Sequence, residues 1–257
     1  MQDADDLFRE LDRWSALGRR TPVWWRDDDA VAPSPKLDDL LALRGAGALP
    51  LALAVIPAGT GPALAERLAR PDAQEGVTVL QHGFAHRNHA APGERAVECG
   101  GARETAAVLA EFAQGRERLA ELFGARFLPA MVPPWNRIEP RIAAALRQSG
   151  LEAVSVFGPR EAPHSGAVPV VNAHLDVLTW KGGARFAGRA KLIRLLCERL
   201  AERRLGAVDG SEPFGLLTHH LDHDGETNDF LAELLPVLAA HPAIEWRKAR
   251  DIFGLPV

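Results

Sequence analysis

Val23-Trp24-Trp25-Arg26-Asp27-Asp28-Asp29 is an apolar run that ends abruptly in three carboxylates. Like charges packed this tightly repel one another, and a carboxylate near a sheet interior is costly unless a cation or hydrogen bonds compensate it. A short buried strand with acids at its carboxyl end is where open or closed α/β sheets place their chemistry. The other reading is an exposed acidic turn leading to the next helix, with Pro33 and Pro35 as the turn signal.

Outward from this stretch, helical and apolar segments alternate. Upstream, Leu7, Phe8, Leu11, Trp14 and Leu17 recur at helical spacing, with Gly18 as C-cap. Downstream, residues 37–43 read as a helix and 49–56, nearly all apolar, as a strand buried on both faces. A short helix over 63–69 ends at Pro71, and a third strand over 77–80 follows. A long helix covers 104–123, a strand 127–132 and, after a rigid Pro133-Pro134 loop, a helix 140–148 capped by Gly150. Strands at 153–157 and 168–171, a helix at 191–205, a strand at 214–217, a helix at 230–240 kinked at Pro236 and a closing strand at 244–246 complete the chain. Strand and helix alternate about seven times, which argues for parallel βα units closed, or nearly closed, into a (β/α) barrel. No linker or repeat interrupts residues 1–257, so one domain is expected.

Composition narrows the function. With 257 residues, 47% apolar and 25% charged, the chain can bury a full core. A net charge of -4, with only isolated basic pairs at Arg19-Arg20 and Arg203-Arg204, argues against nucleic acid or anionic membrane partners. The acidic start lacks an apolar leader core and no run approaches about 18 apolar residues, which leads to the expectation of a cytoplasmic protein without a membrane span. Cys99 and Cys197 are the only cysteines, so any metal must be held mainly by His and carboxylate. No GxSxG elbow and no phosphate-binding glycine loop occur.

Seven of the nine histidines fall in three places, each after an apolar run: His82, His86 and His89; His174; and His219, His220 and His223. If those runs are barrel strands, these histidines converge with Asp27 to Asp29 in one mouth. His82 and His86 form HxxxH, the spacing that puts two imidazoles on one side of a helical turn, and a carboxylate from elsewhere completes a facial His/His/Asp metal set. His89 extends the pattern as a third ligand, a substrate contact or a solvated residue, with ligation the least favoured. His174 is open between a supporting, a substrate-facing and a structural role. His220 and His223 read as local support, with general acid or ligand as alternatives.

Together these residues resemble the five motifs of the polysaccharide deacetylase (NodB-homology) superfamily of carbohydrate esterases, in order, over about residues 23–224. The resemblance implies a distorted (β/α)7 barrel and a mononuclear divalent metal. That metal is most often Zn2+, with Co2+, Ni2+ or Mn2+ as alternatives, and the reaction is hydrolysis of N- or O-acetyl groups on a sugar or glycoconjugate. It implies Asp28 as general base, with Asp29, His82 and His86 as metal ligands. Val132-Pro133-Pro134-Trp135-Asn136 resembles the third motif, in which Trp135 lends its backbone N–H to the oxyanion. Asp176 and Trp180 resemble the fourth. Leu216-Leu217-Thr218-His219 resembles the fifth, with His219 as general acid and Asp176 as its natural carboxylate partner. Asn136, Trp180 and His89 are the further substrate-side candidates.

Two departures stand out. Val132 occupies the position of the family's arginine that pairs with the base; Arg26, two residues before Asp28 and on the same strand face, is the candidate replacement. The glycine usual after the second aspartate is absent, leaving the register between Asp27 and Asp29 ambiguous, with Asp29 preferred as ligand. Two other readings stay open: a related C–N hydrolase acting on a non-sugar amide or ureide, and a silent glycan-binding relative.

Overall fold

A computed structural model of the chain describes residues 2–45 and 49–255. Its frame is a parallel sheet whose strands are β1 (Thr21–Ala30), β2 (Leu51–Val55), β3 (Val77–His82), β4 (Phe127–Val132), β5 (Ala153–Val154), β6 (Leu175–Asp176), β7 (Phe214–Thr218) and β8 (Ile244–Trp246). Their order is β5-β4-β3-β2-β1-β7-β6, and every pairing is parallel. The two ends of that order meet. Val170 bridges Val154 and Ala173 bridges Phe157, while Leu175 and Asp176 pair with Leu216 and Leu217. Residues 170–176 therefore run between β5 and β7 as the seventh stave of a distorted (β/α)7 barrel, the fold class expected from the sequence. β8 pairs with the start of β1, Val23 being flanked by Trp246 and Phe214; β2 joins β1 only from Arg26 onward.

Side chains on β1 alternate between two environments, as the pleat requires. Val23 and Trp25 pack in the large cluster between strands and helices. Trp24 packs inside the ring with Ala52, Ala54, Leu80, Leu128, Ala130, Val132, Ala153 and Val171. Phe253, from the helix Ala249–Phe253, joins the same cluster and meets Trp24 edge to face at 5.8 Å. The indole is accommodated by small residues, Ala52, Ala54, Ala130 and Ala153, set among the larger Leu80, Leu128, Val132 and Val171. At Gly215 even a methyl group is too much: a Cβ there would lie 2.6 Å from Asn172 O and 2.7 Å from Ala173 Cα and Trp24 Nε1.

The helices flank the ring, and the sequence-derived segments match them with shifted ends. The first runs Gln2–Ala16, and the helix expected over 140–148 is Pro140–Ala145 followed by a 3-10 turn, Leu146–Ser149. The helix expected over 230–240 starts at Gly225, because Asp224 caps it by accepting the Thr227 N–H at 2.8 Å, and it continues through Pro236 to Ala240. The strand expected over 168–171 is divided: Val168–Pro169 forms a small hairpin with His164–Ser165 before the chain enters the seventh stave. Among the described residues no helix is long and apolar enough to cross a membrane.

The crowding at Gly215 makes a measurable demand. Gly215→Ala is expected to destabilise the protein by about 1–3 kcal/mol, the range for overpacking a filled interior. Denaturant unfolding checks this, and an unchanged midpoint would show that the interior has slack.

Candidate active site

The carboxyl ends of the strands open into a cavity of about 580 Å³, lined by Asp28, Asp29, His82, His86, Asp176 and His219 among others. The acidic stretch is thus no surface turn: Arg26, Asp27 and Asp28 are essentially without solvent exposure. Consecutive aspartates leave the strand in different directions, and each direction has a local cause.

Asp28 continues the inward face of Trp24 and Arg26. Arg26 Nε lies 2.9 Å from Asp28 Oδ1, and Nη2 donates to Asp28 Oδ2 at 3.0 Å. The guanidinium also donates to Ser155 Oγ (2.7 Å) and Asn136 Oδ1 (2.6 Å). A buried pair of this kind persists only where the remaining donors find acceptors, and here the residue following β5 and the loop after β4 supply them. Arg26 does reach the presumed base, from the strand that carries it, while Val132 packs in the apolar interior.

Asp27 points outward but stays buried, accepting from Thr218 Oγ1 (2.7 Å), from the His220 N–H (3.0 Å) and from His220 Nδ1. Thr218 Oγ1 in turn accepts from Trp25 Nε1 at 2.9 Å. Burial alone raises a carboxyl pKa and lowers that of an imidazole, but the contact between the two outweighs it, so Asp27 is held below its usual value and His220 above. His220 is therefore a support for β1. His223, its Nδ1 3.0 Å from Asn228 Oδ1, supports the start of the following helix.

Asp29 breaks the alternation. The β1–β2 register shifts between Asp27 and Ala30, and Asp29 has φ 72°, so the local bulge swings its carboxylate across the mouth. There Oδ1 lies 3.0 Å from His82 Nε2 and 3.2 Å from His86 Nε2. HxxxH is not a helical turn, as its spacing suggested. β3 extends through His82, which pairs with Val132, and Gly83 (φ 57°) then folds the chain back to present His86. All four non-glycine residues with positive φ among those described, Asp29, His86, Trp135 and Asn136, stand at this mouth, where backbone strain marks function more often than chance would.

The donor set fits a cation. His82 Nδ1 is 2.9 Å from the Val132 carbonyl and so carries the proton, which leaves the Nε2 lone pair of the neutral ring facing a carboxylate oxygen. Two acceptors at that distance need a proton or a metal between them. Burial pushes Asp29 up, yet the two imidazoles outweigh it and hold it well below the usual carboxylate range; burial pushes His82 down, yet Asp29 raises it overall. Among the described residues Asp29, His82 and His86 form the one group of three whose ligand atoms converge for a metal ion.

Opposite this set, His219 Nε2 lies 3.9 Å from Asp28 Oδ2 and Nδ1 lies 3.8 Å from Asp176 Oδ1. Asp176 is thus at ion-pair distance from His219 and outside hydrogen-bond range. Its hydrogen bonds come from Trp180 Nε1 (2.8 Å) and the Leu178 N–H (2.9 Å), and its burial raises its pKa. Trp180, 48% exposed, stands edge-on to the His219 ring at 4.6 Å, and Trp135 packs against His86 at 4.5 Å. His89 is not brought into the cavity lining; its N–H donates to Val97 O. His174 is structural: Nδ1 accepts the Gly215 N–H at 2.9 Å and Nε2 lies 3.1 Å from buried Glu212, pinning the seventh stave. Sequence reading passed over Ser155, whose hydroxyl carries no motif, and quoted Thr218 in the fifth motif without assigning it a role.

The fold is that of the NodB-type polysaccharide deacetylases, and the solved structures similar to it include deacetylases and esterases of carbohydrate esterase family 4 and a pseudoenzyme of that family. One is a Mycobacterium smegmatis protein described as a polysaccharide deacetylase, 17% identical with a TM-score of 0.68, covering 92% of this chain and 90% of that one. Another is a family 4 acetyl xylan esterase from Clostridium thermocellum in complex with cobalt, 14% identical with a TM-score of 0.56, covering 91% and 93%. A third is a family 4 pseudoenzyme, 10% identical with a TM-score of 0.55, covering 91% of this chain and 67% of that one. No family model and no curated protein sequence matches the chain.

The Asp27–His220 contact gives this site a pH signature. A lowered Asp27 contributes stability above the ordinary carboxylate value and loses it as pH falls through the lowered one. A raised His220 contributes below about pH 6.5 and loses it as pH rises through the raised one. The contribution is therefore whole between about pH 4 and 6.5. Asp27→Asn is expected to remove this window and to cost about 3–5 kcal/mol by leaving His220 unpaired, as read from unfolding midpoints across pH.

Proposed function

We propose that this chain is a metal-dependent hydrolase that removes acetyl groups from a carbohydrate or sugar conjugate. The observation that carries the reading is the meeting, in one cavity, of a buried Arg26–Asp28 pair and His219 with the Asp29, His82 and His86 group. One neighbour with this fold is a pseudoenzyme, so turnover does not follow from the fold; the reading rests on these residues.

Asp29, His82 and His86 would hold the cation, Zn2+ first, with Co2+, Ni2+ or Mn2+ as alternatives. A divalent ion there supplies Lewis-acid polarisation of the acetyl carbonyl and a lowered pKa for water. Asp28 takes the proton of the attacking water. Arg26 orients it from Nε and Nη2, and each carboxylate oxygen keeps a second lone pair for the transfer. His219, on the far side of Asp28, protonates the departing amine or alcohol. The Trp135 N–H is the natural oxyanion donor: in its turn the Asn136 N–H is used by Pro133 O and the Arg137 N–H by Pro134 O, and Pro134 has none. Trp180 and Phe157, 48% and 46% exposed at the rim, offer apolar faces suited to a sugar ring.

Asp28→Asn and His219→Ala are each expected to lower kcat by about 10²–10⁴-fold while leaving stoichiometric metal in place. A fully active Asp28→Asn would overturn the assignment. Substrate class is settled by a panel of acetylated sugars, on which acetate release is expected. Ammonia or carbamate from ureides instead would make the chain a C–N hydrolase of another kind, and neither product would favour a silent glycan binder.

A further inference from the structure

Glu98 lies outside every motif, in the connection between β3 and the helix Thr105–Phe123, and only 1% of its surface is exposed. Three backbone N–H groups hold its carboxylate: Phe84 donates to Oε2 at 3.0 Å, and Ala85 and Arg87 donate to Oε1 at 2.8 and 3.2 Å. These amides flank His86 in the bend that replaces the expected helical turn. Gly83, at the start of the bend, leaves the space the carboxylate occupies, since a Cβ there would lie 1.9 Å from Oε2. Burying a carboxylate is costly unless it is paired or hydrogen-bonded, so three N–H groups aimed at one anion both compensate Glu98 and fix the peptide planes that donate them. His86 sits among those planes in a left-handed conformation (φ 52°) that residues other than glycine seldom adopt.

We propose that Glu98 is the positioning residue for His86: its carboxylate holds the 83–87 bend in the one shape that brings His86 Nε2 to Asp29, and thereby sets the affinity of the metal site. The proposal rests on the reading of Asp29, His82 and His86 as metal ligands. Glutamine at position 98 is nearly isosteric, but it offers one acceptor oxygen where three N–H groups converge and turns its own N–H2 toward one of them.

The test is titration of the apo protein with Zn2+ against a chromophoric chelator. Glu98→Gln is expected to weaken Zn2+ binding about 10–100-fold, the range for losing a residue that orients a ligand. Activity should return to within a few-fold of wild type at saturating Zn2+. In a His86→Ala background the same substitution is expected to change Zn2+ affinity by less than about 3-fold, because its effect runs through that imidazole. A full additive loss there, or an unchanged affinity in the single variant, overturns the proposal. Wild-type protein that takes up no Zn2+ overturns instead the metal reading beneath it. If Glu98→Gln does not fold, hydrogen exchange of the wild-type chain decides: protected Phe84, Ala85 and Arg87 amides support the carboxylate clasp, and exchange at free-loop rates refutes it.

Discussion

A guanidinium with no solvent exposure, inside a barrel barely wide enough for one indole, is the constraint on which the rest of the site depends. Arg26 is tolerable only because its donors are answered by Asp28, Ser155 and Asn136, which come from β1, from the residue following β5 and from the loop after β4. One side chain thus ties three regions of the ring to a single geometry. The charge that compensates Asp28 in the interior is the same charge that fixes its orientation toward the cavity, so stability and the proposed chemistry cannot be tuned independently.

The fold was legible because the signals for it are local. Apolar runs such as 49–56 and 127–132, separated by helical patterns, have one economical arrangement, and the carboxyl ends of parallel staves share a face whatever their exact bounds. Convergence of Asp28, Asp29, His82, His86 and His219 followed from that topology. What sequence could not supply was backbone direction within two or three residues. HxxxH has the same spacing whether it lies on a helical turn or on a strand end and a left-handed bend, and only pairing of His82 with Val132 selects the second. His174 looked chemical because it follows an apolar run, yet its partner Glu212 lies far along the chain. His89 continued a histidine series that the bend at 83–87 turns away from the cavity.

Crowding explains where chemistry is possible in this molecule. Below the mouth, Trp24 and Phe253 fill the ring together with alanines, Leu80, Leu128, Val132, Val171 and Gly215. Toward the carboxyl end the bore turns polar, and Arg26, Asp28, Ser155 and Asn136 are joined there in one hydrogen-bonded set. Two exposed aromatic residues, Trp180 and Phe157, sit where the packed interior gives way to solvent.

The bulge at Asp29 has a consequence for how this sequence can change. Three identical residues in a row perform three different duties because the strand carries a one-residue frame shift: Asp27 faces the helices, Asp28 the bore and Asp29 the histidines. The triplet is therefore read by position and not by composition. Deleting any one of the three gives the same shortened sequence, in which the register before the gap is unchanged and alanine takes the third position, so the carboxylate that faces the histidines is the one lost whichever residue is removed.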